Sequence, residues 1–561
     1  MWLRVGKLNP ARRSIWSEHL LTLTNRLVTP KRWLAECIAN HKDCANLVGY
    51  SSCYPKRLLD LQLSGSADNP NSGIKLINSN TIHGRPTYAT LSHCWGISPQ
   101  HNQGGVLKTT RVTQRQHEDG IPLASLPKTF LDAVILASEL SIPYLWIDSL
   151  CIIQDDTACW ESEAADMAAY YQNSHLTIAA TSAKDSSEGC YLTITNHDLR
   201  VPLPPRNHNT QNRGAQSHHV RFAMRWIDRA QGFISHSLSS NSALSQRAWA
   251  LQELVLSRRT IHCFNSQFYW NCRHHSESED GSMTLEGLNP VYARYTSPRF
   301  SGSVPEFLEL AHWHSLVERY IVSVLTFERD RLAAFAGITK HFQAHLGDEP
   351  MLGAWKRTAA FDLHWRRWHP KMEVPYTLAA YGVSSYPQIP SWSWLTVRPH
   401  PDPTSRAGRI VFLIYAARTL GTPLAFHYTT HTQVVAYEES WSGHPMTSTL
   451  AYANLTIQGP LIPIRSLPTR EQGANVQYHL DDPRDNDDEG LLCLHLYGIQ
   501  VTCSEGTRKE YFRWFMGFLL VRIVLQEPLT CRRIGAAMIE TQGSPWLAWL
   551  CGAENQVIRM V

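Results

Sequence analysis

The sequence predicts an α/β fold built on a parallel sheet, with a flanking helical region and a C-terminal β-rich region. Three observations predict it. Between residues 80 and 265, short apolar runs suited to buried strands alternate with segments of helical period. That alternation implies right-handed crossovers and parallel pairing. From about residue 409 the helical period gives way to strand-like runs, such as those at 410–413 and 455–458.

Taken in order, residues 1–79 form an N-terminal segment marked by a cluster of Cys37, His41, Cys44 and Cys53. Its end, 69–80, is rich in Asn, Ser and Gly and reads as a linker. Residues 87–96 (TYATLSHCWG) form a short strand ending in Gly, and a polar loop follows at 97–120. Leu126 to Thr129 introduce a helix over 130–140, where Phe130, Ala133, Ala137 and Leu140 recur at helical spacing. Residues 144–147 suit a buried strand, with Asp148 at its end. Trp160, Ala164, Met167, Ala168 and Tyr171 share one face of an amphipathic helix. A strand at 176–180, a helix at 247–256 and a strand at 259–264 complete this domain. Residues 196–242, rich in Pro, Asn, Gln and Ser, interrupt it as an insertion. Residues 266–395 are expected to be mainly helical, notably 305–345 and 352–368. The stretch 387–394 marks a boundary, and 396–561 is β-rich.

The composition, 43% apolar and 18% charged over 561 residues, is that of packed globular units. Basic and acidic residues nearly balance, 52 against 48, with no long basic run. Nothing in that balance points to a nucleic-acid footprint. The acidic stretch 481–489 reads as a solvated loop. Thirteen scattered cysteines do not resemble the even framework of a small secreted domain. The N-terminus lacks an apolar core of signal-peptide length. The most apolar later stretch, 514–525, is interrupted by Arg522 and falls short of the ~20 residues a spanning helix needs. A cytoplasmic protein with no transmembrane segment is expected, and the sequon at Asn454 is a chance match.

In parallel sheets, function gathers beyond the carboxyl ends of the strands. Those ends hold Ser92, His93, Cys94 and Trp95, then Asp148, Ser149 and Cys151. Asp148 is placed to orient a ligand hydroxyl or Arg247, or simply to anchor a loop. His93 and Cys94 are adjacent and project differently from a strand. That leaves Cys94 with His175 or His262 as the alternative nucleophilic pair, against a packed motif closing the sheet edge. Trp95, Trp146 and Trp249 either stack on a nucleotide base or belong to the core. Cys37, His41, Cys44 and Cys53 offer zinc-type atoms, but C-x3-H-x2-C-x8-C is not the paired zinc pattern. A helix across Cys37–Cys44 would put the first three on one face, suiting a metal or plain packing. No metal ligand is assigned.

Four blocks in order carry a resemblance: YATLSHCWG at 88–96; LPKTFLDA at 126–133 leading to YLWIDSLCIIQDD at 144–156; Trp160, Glu163, Met167 and Tyr171 followed by LTIAA at 176–180; and RAWALQE at 247–253. Together they resemble the fungal heterokaryon-incompatibility (HET) domain. The flanks are similar to that family as well, through Cys37-x3-His41-x2-Cys44 and PKRLLD at 55–60 upstream, and Asp330-Arg331-Leu332 and PSWSW at 390–394 downstream. The resemblance implies a TIR-like, flavodoxin-like core and a role in self/non-self recognition ending in programmed cell death. Some TIR domains cleave NAD with a glutamate in a Trp-Cys-x-x-Glu-Leu context. Here Trp249 to Leu254 keep the Trp-to-Glu spacing, with Ala250 in place of the Cys. The resemblance therefore makes Glu253 the candidate catalytic carboxylate. Ser92, Trp95, Asp148, Ser149, Arg247 and Trp249 become candidate ligand-binding residues, with NAD as the substrate. The alternative it implies is a non-enzymatic module that signals by self-association and by binding another protein.

Overall fold

The computed structural model describes residues 23–45, 53–61, 73–96, 106–191, 197–202, 219–224, 242–265, 267–281, 284–286, 305–367, 389–397, 410–412, 425–468, 474–481, 491–505, 509–541 and 553–561. The acidic stretch after Asp481, the first part of the loop 97–120, residues 69–72 of the linker and the start of the boundary at 387–394 lie outside them. Two compact units divide the chain. The first comprises Met1–Asp156, Tyr170–Ser245 and Ser257–Arg294; the second comprises Thr157–Ala169, Gln246–Leu256 and Tyr295–Val561.

In the first unit a ten-stranded sheet takes in β1 (Arg57–Asp60), β2 (Gly73–Asn78), β3 (Tyr88–Ser92), β4 (Ile121–Pro122), β5 (Tyr144–Trp146) and β6 (Leu176–Ala179). The insertion contributes β7 (His197–Pro202) and β8 (His219–Met224), a separate antiparallel hairpin. The sheet then continues with β9 (Arg259–Cys263), β10 (Phe268–Cys272), β11 (His275–Ser278) and β12 (Thr284–Glu286). Strand order is β12-β11-β10-β9-β6-β3-β5-β1-β2-β4. Only the central β5-β3-β6-β9 set is parallel. The strands on either side pair antiparallel. The sheet is thus mixed, which corrects the expectation of a parallel sheet. Crossover helices enforce parallel pairing in the centre, whereas a short connection, such as the one between β9 and β10, permits only a hairpin. Central β3, β6 and β9 are buried along their whole length, as strands covered on both faces are.

The helices are α1 (Leu23–Asn40), α2 (Lys42–Ala45), α3 (Gln114–Asp119), α4 (Lys128–Glu139), α5 (Asp148–Cys151), α6 (Thr157–Asn173), α7 (Ala248–Leu256), α8 (Pro305–Ile321), α9 (Ala333–Leu346) and α10 (Ala359–Asp362). The first turn of α4 grips the loop 185–190. Thr129 N donates to the Ser186 carbonyl at 2.9 Å, and Asp132 accepts from Cys190 N at 2.7 Å. Lys128 reaches the Glu188 carbonyl at 3.0 Å. The polar residues of LPKTFLDA therefore hold a loop while Phe130, Ala133, Val134 and Leu136 enter the core.

The second unit packs α8 and α9 with short hairpins and a large sheet. Trp313, Trp355, Phe335 and Trp394 meet edge-on at its centre, with ring centroids 5.0–5.3 Å apart. The described part of the stretch 352–368, residues 352–367, is mostly not helical, contrary to expectation. It holds β14 (Ala354–Trp355), paired with β13 (Pro350–Met351), then the four-residue α10 and β15 (Trp365–Arg367), paired with β16 (Ile410–Phe412). The reason is local: Leu352 and Gly353 both take positive φ, which turns the β13–β14 hairpin and stops a helix. The Gly353 carbonyl then accepts from Trp394 Nε1 at 2.6 Å, so PSWSW belongs to this core.

The β-rich expectation holds. The strands are β17 (Ala425–Thr430), β18 (Gln433–Trp441), β19 (Leu450–Pro463), β20 (Ala474–Leu480), β21 (Leu491–Glu505), β22 (Lys509–Leu525), β23 (Thr530–Thr541) and β24 (Asn555–Met560). They run β17-β21-β22-β23-β24-β19-β18, with β20 on β23. Because β19 also pairs with β21, the ladder β21-β22-β23-β24-β19 closes into a barrel. The apolar stretch 514–525 is part of β22. Among the described residues, no helix is long and apolar enough to cross a membrane.

His364 is sealed inside this unit. Its Nε2 donates to the Ala537 carbonyl at 2.9 Å, so Nδ1 accepts from the Tyr497 hydroxyl at 2.6 Å. Burial, reinforced by the positive charge of Arg533, His479 and Arg366, lowers its pKa to about 3. The stability this neutral ring supplies is complete above about pH 6.5, the unfolded value. It is lost as pH falls toward the folded value. Melting temperature is expected to fall from about pH 7 to about pH 4, with a shallower slope in His364→Gln. Equal slopes in the two proteins would remove His364 as a source of acid sensitivity.

Candidate functional site

The parallel strands deliver two of the sequence blocks to one place. Strand β3 ends at Ser92 and runs on to His93, Cys94 and Trp95, while β5 ends one residue before Ile147 and Asp148. Asp148 opens α5, and its carboxylate gathers the neighbours. Trp95 Nε1 donates to Oδ2 at 2.9 Å and Ser149 N donates to Oδ1 at 2.7 Å. His93 Nδ1 stands 3.9 Å from Oδ1, with its ring edge-on to Phe130. The Asp148 side chain keeps 21% of its surface exposed, against 1% for His93. A carboxylate has about four lone-pair sites, so two hydrogen bonds leave room for a ligand hydroxyl.

The rest of the IDSLCIIQDD block is scaffolding. Thr109 N donates to the Ser149 carbonyl at 2.9 Å and Thr109 Oγ1 to the Leu150 carbonyl at 2.6 Å. Gln154 Nε2 donates to the Asp148 carbonyl at 3.0 Å. Arg57, from the upstream PKRLLD motif, donates to the Cys151 carbonyl at 2.7 Å. Asp155 accepts from Arg111 N at 2.8 Å. The donors from Thr109 and Arg57 reach the Ser149, Leu150 and Cys151 carbonyls, the kind of carbonyl that a helix end leaves without an intrahelical partner. Gly96, at φ +89°, closes the first block, where a side chain would run into Asp185.

Other predicted residues fall elsewhere. The side chains of Ser92 and Ser149 are wholly buried. Trp146 is core, edge-on to Tyr170 and Tyr171 at 5.7 Å each. His262 is also buried, engages Thr181 at 3.2 Å and has its pKa lowered to about 4 by desolvation. His175 is lowered to about 4 as well, by burial and then by Arg259 and Arg258. Arg247, Trp249 and Glu253 lie in the second compact unit, whereas Ser92, Trp95, Asp148 and Ser149 lie in the first. In the second unit, Trp249 Nε1 donates to Asp330 at 3.3 Å, and Gln252 Oε1 accepts from Gly337 N at 2.7 Å. Asp330 of the downstream Asp-Arg-Leu motif thus anchors α7. Eight of the nine residues of α7 are buried. Glu253 is 4% exposed and already engaged in an interaction.

A second cluster lies on the first unit. Cys37, His41, Cys44 and Cys272 place their ligand-type atoms within 4.8 Å of one another. The helical register runs through α1 and α2: His41 N donates to the Cys37 carbonyl at 3.1 Å and Ala45 N to the His41 carbonyl at 3.1 Å. The three N-terminal residues therefore share a face, as their spacing allowed. Cys53 is not part of the group; its carbonyl accepts from Asn173 at 2.7 Å. The fourth position belongs to Cys272, at the end of β10, which sequence reasoning passed over. Its signal was the run Cys272-Arg273-His274-His275, which begins on the last residue of β10. The Cys272 thiol is held below its ordinary range by hydrogen bonds from Cys37 and Cys44.

Among known proteins, the family model described as "Heterokaryon incompatibility protein (HET)" matches residues 88–253. No curated protein and no solved structure matches the chain.

Proposed function

The chain carries a heterokaryon incompatibility domain at residues 88–253, and from that premise we propose a fungal self/non-self recognition factor that promotes programmed cell death. In this reading the domain is a TIR-like signalling module that acts by self-association and by binding another protein, without turning over a substrate. The observation that carries it is the burial of Glu253. An NAD-cleaving carboxylate must stand beside the ribose and stabilise positive charge as nicotinamide leaves. A glutamate that is 4% exposed and already engaged on a buried helix suits a framework role. The four parallel strands β5-β3-β6-β9 with their crossover helices are compatible with a TIR-like core.

One observation favours a second reading. Asp148 and Trp95 sit at the carboxyl ends of β3 and β5, where open α/β sheets bind ligands, and Asp148 is partly exposed. There a nucleotide such as NAD would meet Asp148 through a ribose hydroxyl and would lay its base on Trp95.

The test is NAD loss by purified full-length protein at high concentration, wild type beside Glu253→Gln. The expected result is no turnover in either, with induced expression still killing cells carrying Glu253→Gln. Turnover in the wild type that disappears in Glu253→Gln would overturn the scaffold reading and install Glu253 as catalytic.

A further inference from the structure

We propose that Cys37, His41, Cys44 and Cys272 bind one structural zinc ion, which pins the N-terminal helix to the β10–β11 hairpin. Zinc takes Cys sulfur at about 2.3 Å and His nitrogen at about 2.0–2.1 Å in a tetrahedron, so its ligand atoms stand roughly 3.6–3.8 Å apart. The one sulfur–nitrogen distance across the two elements, Cys272 Sγ to His41 Nδ1, is 3.6 Å. All four atoms fit within 4.8 Å, and the three cysteines are buried.

Plain packing accounts poorly for the set. Three buried thiols and an imidazole converge from a helix end and from a hairpin 231 residues further along the chain. A disulfide framework does not use them either. Cys37 and Cys44 are seven residues apart in helical register, about 10 Å by rise, beyond the ~7 Å limit for bridged Cα atoms. A single bond to Cys272 would leave one thiol over, whereas a zinc ion uses all four groups. All three are thiols in the structure.

The surroundings are those a thiolate-rich site needs. Arg259 Nε donates to Cys37 Sγ at 3.2 Å, and its NH2 donates to the Cys44 carbonyl at 3.2 Å. Three thiolates and Zn²⁺ sum to one negative charge, which this guanidinium balances. The His275 amide donates to Cys272 Sγ at 3.4 Å. His274 stacks on His41 at 4.2 Å and fixes its ring plane. Such outer contacts orient ligands and tune the metal. Four protein ligands close the coordination sphere, which makes the site structural and not catalytic.

The experiment is metal analysis of the purified full chain after incubation with zinc and desalting. One zinc per chain is expected in the wild type and in Cys53→Ser, and a loss of bound zinc in Cys272→Ser. Cobalt(II) substitution reads the same site without a variant: thiolate-to-cobalt charge transfer and tetrahedral d–d bands are expected in the wild type. Wild type that retains no zinc, zinc undiminished in a folded Cys272→Ser, or cobalt bands that are octahedral would each overturn the assignment.

Discussion

Asp362→Ala is expected to lower the unfolding free energy of the second unit by ~3–5 kcal/mol, the cost of breaking a buried polar pair from one side. Asp362 and its partner His314 are both wholly buried, with His314 Nε2 2.8 Å from Oδ1. The other oxygen accepts from Trp355 N at 2.9 Å and from Thr358 Oγ1 at 2.7 Å. Alanine would leave the Trp355 amide without its acceptor inside the core, and an orphaned buried donor costs about 1–3 kcal/mol by itself. The imidazole would lose its acceptor too, while its ring stays stacked on Phe412 with centroids 3.5 Å apart. Asp362→Asn keeps one carbonyl oxygen and is expected to lose less than half as much. Denaturant midpoints of the three proteins at constant m-value provide the measurement. A loss in Asp362→Ala below ~1 kcal/mol, the size of an ordinary net hydrogen bond, would show that the pair is peripheral to the core.

The order of elements was legible because each block of the domain has one period. Phe130 to Leu140 and Trp160 to Tyr171 recur at helical spacing, and the structure gives α4 and α6 there. The runs at 144–147, 176–180 and 259–264 became β5, β6 and β9 within one residue at either end. The strand-end rule then placed Asp148 and Trp95 together before any geometry was known. What stayed hidden was non-local. The antiparallel flanks were not read as strands: β10–β12 fall at the start of the 266–395 region expected to be mainly helical, and β2 falls in the stretch 69–80 read as a linker, because an edge strand is fixed by its partner and not by a period of its own. Cys272 escaped because its partners lie on α1 and at its end, 231 residues away in the case of His41. The burial of Glu253 did leave a trace. In AWALQELVL only Gln252 and Glu253 are polar, and a helix apolar nearly all round is a buried one. A motif match drew attention to the glutamate, and the hydrophobic pattern beside it argued for burial.

Gly189→Ala is expected to destabilise the first unit by ~2–4 kcal/mol, combining left-handed backbone strain with overpacking. Gly189 has φ +88°, and an added Cβ would strike the carboxylate of Asp132 and the side chain of Lys128. Neither can withdraw cheaply. Asp132 Oδ2 is held by the Cys190 amide at 2.7 Å, and Lys128 bridges Asp132 at 3.1 Å and the Glu188 carbonyl at 3.0 Å. Gly189 N itself donates to Thr129 Oγ1 at 3.0 Å. Gly84→Ala separates the two terms, because Gly84 also has positive φ, +81°, but an added Cβ there meets nothing within 4 Å. Its loss should be the backbone term alone, ~1–2 kcal/mol. The excess in Gly189→Ala measures the grip of LPKTFLDA on the loop 185–190, the same loop whose Asp185 packs against Gly96 of the first block. Equal losses at the two glycines would mean that the loop yields freely. The Lys, Thr and Asp of that block would then need a reason for their place other than holding it.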